Sequence, residues 1–138
     1  MTTQTILPPR AEIAEKYKWN DTSVFADQAA WQAEFDAVTH ALTQLKKYHG
    51  ALASSPQVLA DALDEMQALQ KRGWQVFLYA SMLHAVDTHD QNAQALNGAA
   101  TGLLGQMLGA MAFVDPELLA IGKDTLAAWM QQEPRLKI

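Results

Sequence analysis

The sequence predicts an all-α protein: an antiparallel helical bundle of three long helices plus one or two short C-terminal helices, preceded by an extended N-terminal strap. Apolar residues recur at spacings of three and four over long segments, which is the period of a helix. Residues that favour helix starts and ends separate these segments. No segment shows the sustained apolar and polar alternation of a half-buried strand.

The strap comprises residues 1–26, and the helical domain comprises residues 27–138. Pro8 and Pro9 favour extended backbone and lack amide donors, so we expect no regular helix there. We expect aromatic residues to anchor the strap to the domain: Tyr17, Trp19 and Phe25.

The first helix is predicted to begin at Asp27, because aspartate is a favoured N-cap residue. Gly50 is a plausible residue for its end, since glycine accepts the left-handed backbone of a C-cap. Large apolar residues at spacings of four, three, four and three form its inner stripe: Trp31, Phe35, Val38, Leu42 and Leu45.

The second helix is predicted to begin at Ser55 and Pro56, a serine cap followed by proline at the first helical position. Its inner face comprises Leu59, Leu63, Met66, Leu69, Gly73, Phe77, Ala80 and His84. After Gly73 the apolar residues surround the helix on all sides. Such a helix is expected to lie at the centre of its bundle or to be covered by another domain.

The third helix is predicted over about residues 89–114. Asp115 and Pro116 then cap a short helix, which Gly122 interrupts. A last helical segment is predicted over residues 124–132, before Pro134.

Composition excludes several classes of function. The formal charge is −5 and no long basic cluster occurs, so nucleic acid is not an expected partner. The absence of cysteine rules out disulfides and fits a reducing compartment. The longest glycine-rich apolar stretch, residues 98–114, is shorter than the roughly 20 residues that a membrane span needs. The sequence predicts a soluble, cytoplasmic protein.

The segment LHAVDTHDQ, residues 83–91, has the residue types of a metal site. His84 and His89 are five positions apart, so on one helix they would point about 140° away from each other. Zinc-binding pairs on a helix are four apart with a glutamate after the first histidine, and here Ala85 follows His84. A loop that gathered both histidines with a nearby aspartate is the less favoured alternative.

A corner between the second and third helices explains this segment better. Thr88 and Gln91 match the T-x-x-Q pattern of a capping box, and Asp90 would lie in the first turn of the third helix. We expect His84 to be a core histidine that is hydrogen-bonded to Asp87, three residues later.

Four glycines on the third helix form one stripe, which we call the glycine seam: Gly98, Gly102, Gly105 and Gly109. Each glycine inside a helix costs up to about 1 kcal/mol of stability relative to alanine. Close approach of another helix is therefore a better explanation for four glycines on one line than chance. That neighbour could lie in this domain, in a missing domain or in another copy of the chain.

Two further groups of residues are interpreted as structural. Five methionines are expected to fill the core, although an adaptable peptide groove is an alternative: Met66, Met82, Met107, Met111 and Met130. Three carboxylates of the second helix are expected to form a solvated face: Asp61, Asp64 and Glu65. We predict no catalytic, cofactor-binding or metal-binding residue in this chain, because no recognisable motif is present.

The order of several segments resembles the oligoendopeptidase F family, a group of thimet-oligopeptidase-like zinc metallopeptidases. The resemblance begins with a lysine-tryptophan pair at Lys18 and Trp19, a D-x-x-x-F turn from Asp21 to Phe25, and Trp31. It continues through YHGALASSPQVLADAL, YASMLHAVDTHDQNAQAL and FVDPELLAI, in this order.

The resemblance implies a non-catalytic N-terminal helical domain of a longer zinc-dependent enzyme that hydrolyses short peptides. Such a domain would help to wall the substrate cleft, with a C-terminal catalytic domain as its partner. The family's HExxH motif does not occur here, so zinc is implied only for the full-length enzyme. The alternative is a stand-alone helical interaction module that binds a peptide or partner helix. We expect the isolated chain to dimerise or swap helices through apolar surface at residues 74–86 and the glycine seam.

Overall fold

The structure is a computed structural model that describes Pro8 and residues 10–137. These residues form five α-helices and no strand, which confirms the all-α prediction. The helices are α1 (Gln28–Gln44), α2 (Pro56–Val86), α3 (Gln91–Met111), α4 (Val114–Ile121) and α5 (Lys123–Gln132).

The predicted starts of the first two helices are confirmed by their caps. The Asp27 side chain accepts a hydrogen bond from the amide of Ala30 at 2.8 Å. The Ser55 hydroxyl accepts one from the amide of Val58 at 3.1 Å. Each side chain therefore satisfies one of the amides that a helix leaves without an internal partner at its start.

The first two long helices run antiparallel. Near the start of α1, the Trp31 indole N–H donates to the carbonyl oxygen of Val76 at 2.9 Å. Just after α1, the Tyr48 hydroxyl donates to Glu65 at 2.8 Å. Residue numbers thus rise along α1 while they fall along α2.

The second and third helices run antiparallel by the same reasoning. Gly73 lies against the side chain of Met107, and the Gln70 amide approaches the Met111 sulfur at 3.5 Å. The second helix packs against both α1 and α3. Trp74, Leu78 and Val86 nevertheless remain 57%, 47% and 40% exposed, so the described residues do not cover its apolar C-terminal half on all sides. The largest fully buried side chains are Trp31, Leu45, Leu52, Leu59, Leu103, Val38 and Val76.

Several helix ends differ from the prediction. The first helix ends at Gln44 and continues as a 3₁₀ turn, Leu45–Tyr48, and Gly50 then takes a φ of 77°. The third helix ends at Met111, and α4 begins one residue before Asp115 rather than after it. Pro116 is accommodated within the first turn of α4, because amides there need no helical acceptor. Gly122 ends α4 as predicted, with a φ of 84°.

The N-terminal segment is not extended throughout. Its described part contains three 3₁₀ turns, Arg10–Glu12, Glu15–Tyr17 and Asp21–Ser23, because short-range backbone hydrogen bonds replace an extended path. Trp19 and Phe25 pack against the core as predicted, but Tyr17 does not anchor the segment. Its side chain is 74% exposed, with the Lys16 ammonium over its ring. Pro9 lies outside the described residues.

Within the described part of the chain, one stretch, Gln91–Ile121, is long and apolar enough to cross a membrane by length and composition alone. In the structure this stretch is two helices, α3 and α4, separated by a turn at Ala112 and Phe113. Leu96, Leu103 and Met107 of α3 lie in the protein core. One face of α3 is therefore buried in the core, although only 6% of the apolar window of the stretch is buried.

Candidate functional site

The histidine-containing corner lies between α2 and α3, where the sequence places it. His84 belongs to the last turn of α2, and His89 lies in the connecting turn. The Asp87 carboxylate accepts a hydrogen bond from the amide of His89 at 3.0 Å. Asp90 caps α3 by accepting from the amides of Asn92 and Ala93, at 2.8 and 3.2 Å.

The predicted capping box is therefore wrong, because Asp90 occupies the N-cap position assigned to Thr88. An aspartate two residues closer to the helix reaches its free amides directly, and α3 starts at Gln91 instead of about residue 89. The helix begins later, so Gln91 is its first residue and cannot be the third-position partner of a box.

The predicted bond between His84 and Asp87 is also absent. The Nδ1 atom of His84 is buried and has no hydrogen-bond partner in the structure. Asp87 leaves the helix with extended backbone, at φ −148° and ψ 95°, so the three-residue helical spacing no longer brings the two side chains together. Its carboxylate instead serves the connecting turn.

No metal-binding cluster forms among the residues that the structure describes. No three side chains of histidine, aspartate or glutamate come together there in a way that could hold a metal ion. Structural and catalytic zinc sites use at least three protein ligands. The described residues therefore do not provide the ligands that a zinc ion needs.

Two of the three carboxylates on α2 form an ion-pair cluster with the C-terminal segment. Arg135 donates to Asp61 and Asp64 at 2.8 and 2.9 Å, and its Nη2 atom lies 3.1 Å from Glu133. The hydrogen bonds that Arg135 donates, to Glu133 first and then to the two aspartates, raise its pKa. Asp61 and Asp64 are thus partly exposed and paired, and they hold the last turn of the chain against α2.

The third carboxylate connects the end of α1 to α2. Glu65 accepts from the Tyr48 hydroxyl and lies 2.7 Å from the Lys47 ammonium. The Lys47 hydrogen bond lowers the pKa of Glu65, while burial and then the Glu65 hydrogen bond raise the pKa of Tyr48. The sequence interpretation of a solvated face missed both partners of Glu65.

The methionines and glycines separate into buried and exposed groups. Met66 and Met107 are buried in the core as predicted, while Met82 and Met111 are half-buried and Met130 is exposed.

The four glycines of the seam are exposed, and a Cβ atom added at any of them would meet nothing within 4 Å. The close approach predicted for the seam is not made by any described residue. Gly73, which is buried against Met107, is the glycine that makes a close contact.

The outer face of α3 is free of charge. No charged residue or histidine occurs between residues 91 and 114, although the seam lies opposite the buried stripe of Leu96, Leu103 and Met107. Surface helices ordinarily carry charges on the side away from the core. This uncharged outer face was visible in the sequence, but only the structure shows that it is uncovered.

A groove of about 630 Å³ lies at the C-terminal end of this outer face. The segment after α1 forms one wall and the end of α3 forms the other. Its lining is Lys46, His49, Gly109, Ala110, Ala112 and Phe113. The His49 and Phe113 rings meet edge to face, with centroids 5.2 Å apart. The groove is apolar at its base and carries two basic side chains on one wall.

Comparisons with known proteins bring one group of relatives together. No family model matches the chain. The chain is 33% identical over 132 residues to oligopeptidase PepF of Bacillus subtilis, covering 96% of this chain and 20% of that protein. It is 31% identical over 128 residues to group B oligopeptidase PepB of Streptococcus agalactiae, covering 93% of this chain and 21% of that protein.

A solved structure shares the fold. It is oligoendopeptidase-F from Enterococcus faecium, with a TM-score of 0.74 and 21% identity. The match covers 80% of this chain and 22% of the solved chain. The chain therefore spans about a fifth of the length of the relatives that it matches.

Proposed function

We propose that this chain, which is homologous to oligoendopeptidase F proteins over about a fifth of their length, is a non-catalytic helical region of a longer peptidase that hydrolyses short peptides. The observation that carries the proposal is the 33% identity to a curated oligopeptidase over 96% of this chain. The resemblance in the order of sequence segments is confirmed by these relatives.

Zinc would be bound outside this chain. The described residues supply no group of three ligands, and the HExxH motif does not occur anywhere in the sequence. In the proposed enzyme, the ion would polarise the scissile peptide bond and activate water. The residues of this chain would shape the surroundings of that chemistry, while the partner region would perform it.

The proposed role of this region is to wall the substrate cleft, with residues 27–138 as a helical domain and residues 1–26 as its strap. The buried three-helix core and the lack of a recognisable catalytic motif favour a structural role. A short peptide inhibitor carrying a photoreactive group tests this role in the longer enzyme. Cross-links to residues of this chain are expected, and their complete restriction to other regions would contradict the wall.

The proposed compartment is the cytoplasm. The sequence contains no cysteine, so its stability does not depend on the disulfides that oxidising compartments permit. We propose neither nucleic acid nor a membrane as a partner, in view of the net charge of −5 and the core packing of α3.

A second candidate function is a stand-alone interaction module. The exposed Leu108 beside the open glycine seam favours it, because exposed apolar surface on proteins can mark binding sites. The reading frame of the natural gene discriminates between the two functions. A continuation of several hundred residues that includes HExxH supports the peptidase, and a stop codon after Ile138 supports the module.

A further inference from the structure

One wall of the groove at the end of α3 carries two basic side chains, Lys46 and His49. Within the described residues, neither Lys46 nor His49 lies within ion-pair distance of a carboxylate. Glu117 follows on α4, but its carboxylate accepts from the amides of Gly50 and Leu52, at 2.5 and 3.3 Å. The exposed Lys46 ammonium can therefore pair with an acidic group brought in from outside.

The outer face of α3 continues this groove along the helix. Gly109 lines the groove, and the remaining glycines of the seam extend from it over about three further turns. Leu108 beside the seam is 75% exposed. Glycine positions with open space above them let a second helix approach closely, and an exposed leucine adds apolar area to that contact.

The length of the relatives indicates where the covering element comes from. Each of the two compared relatives has about four fifths of its length outside the region that matches this chain. A helix from such a region is covalently linked to this domain, so its effective concentration is high and a modest surface is enough to hold it.

We propose that the groove and the outer face of α3 dock a helix from the remainder of the longer protein, and that this helix carries a carboxylate that reaches Lys46 and His49. The inference rests on the proposed function, because it requires a longer chain. The helix has small or aliphatic residues toward the seam and its acidic group toward the basic wall of the groove.

Cysteine accessibility tests this proposal, because the chain has no native cysteine. Ala112→Cys places a thiol in the groove, and Ala33→Cys on α1 is the matched control, since both alanines are exposed helix-flanking or helical positions. Each variant is made in the 138-residue chain and in the longer protein encoded by the natural gene. Labelling by a maleimide is followed at each site by peptide mass spectrometry.

In the dilute isolated chain, both thiols are expected to react at similar rates. In the longer protein, the thiol at position 112 should react at least about tenfold more slowly than in the isolated chain. This ratio corresponds to a docking free energy of about 1.4 kcal/mol. The thiol at position 33 should stay reactive in both proteins. In the longer protein, adding Lys46→Glu should raise the labelling rate at position 112 by at least about fivefold, because one ion pair is lost and a repulsion is gained. Lys71→Glu, on the exposed side of α2, should change nothing.

Equal reactivity of position 112 in both proteins would overturn the docking site, even if the longer protein cleaves peptides. If the thiol at position 112 is protected in the longer protein but Lys46→Glu does not change its labelling, the proposed contact between Lys46 and a carboxylate is wrong. Protection confined to concentrated solutions of the isolated chain would assign the surface to a second copy instead. A natural gene that ends after Ile138 would overturn both this inference and the proposed peptidase, whereas reactive thiols in an active enzyme overturn the inference alone.

Discussion

At the scale of single residues, the polar corner before α3 is explained by backbone hydrogen bonds. Asp87 shapes the turn through the amide of His89, and Asp90 caps α3 through two amides. Thr88 makes no side-chain hydrogen bond of the kind that a capping box requires. The two aspartates that resemble metal ligands in the sequence therefore have structural roles that involve only main-chain partners.

Substitution of the cap tests this assignment. Asp90→Ala is expected to lower the free energy of unfolding by about 1 kcal/mol, because two amides at the start of α3 lose their acceptor. Thr88→Ala is the matched control and should change it by less than about 0.5 kcal/mol. Urea unfolding measures both. A larger effect at Thr88 than at Asp90 would restore the capping box.

The Glu65 cluster predicts a pH dependence. Its hydrogen bond with Lys47 lowers the pKa of Glu65 from the ordinary value of 4.5 in the folded state. The ionised form is thus favoured by folding, and its stabilising contribution is present above pH 4.5 and is lost as the pH falls through the lower folded pKa.

The variant Glu65→Gln should therefore be less stable than the natural chain near pH 6, with the difference shrinking as the pH is lowered below 4.5. Urea midpoints measured at several pH values give this comparison. A difference that stays constant, or grows, toward acid pH would show that the Lys47 contact does not govern the titration of Glu65.

At the scale of elements, local signals predicted the starts of the first two helices and the end of α4. Asp27, Ser55 with Pro56, and Gly122 act within a few residues of themselves, so the sequence alone shows their roles. The start of α3 was mispredicted because Thr88 and Asp90 are competing caps two residues apart. Arg135 contacts Asp61 and Asp64 across 74 and 71 residues, and no local pattern reports such a pairing.

The packing of the third helix also could not be predicted fully from the sequence. Helical periodicity identified Leu96, Leu103 and Met107 as one face and the glycine seam as the other. It could not tell whether a neighbour covers the seam, because a neighbour's position depends on tertiary structure. The seam is open in this chain, whereas Gly73 on α2 lies against the Met107 side chain of α3.

Glycine substitutions in the isolated chain distinguish these two environments. Gly102→Ala and Gly105→Ala should each raise the free energy of unfolding, by up to about 1 kcal/mol, because the added methyl meets open space and alanine favours the helix. Gly73→Ala should gain less than either seam variant, because its methyl would overlap the Sδ and Cε atoms of Met107 and this side-chain end must move to admit it. Thermal and urea unfolding measure the three variants. Destabilisation by the seam substitutions would show that the seam is packed in solution.

At the scale of the whole molecule, large apolar side chains remain exposed on four helices, α2 to α5. They include Trp74 on α2, Leu108 on α3 and Leu119 on α4, which are 57%, 75% and 81% exposed. Such surface promotes association when the element that would cover it is missing. It is also consistent with a chain that spans about a fifth of its relatives.

We expect the isolated chain to self-associate at high concentration. Light scattering coupled to size exclusion should report a dimer or a concentration-dependent mass. Leu108→Lys with Leu119→Lys should shift the mass toward the monomer, because each lysine would place an unpaired charge in the contact. A strict monomer at millimolar concentration would contradict this expectation.

The central claim is that this chain is a non-catalytic region of a longer peptidase. The most direct measurement is hydrolysis of a quenched fluorescent peptide, with added zinc, by the 138-residue chain and by the longer protein from the natural gene. We predict no turnover by the chain alone and chelator-sensitive turnover by the longer protein. Zinc-dependent cleavage by the purified 138-residue chain would contradict the claim.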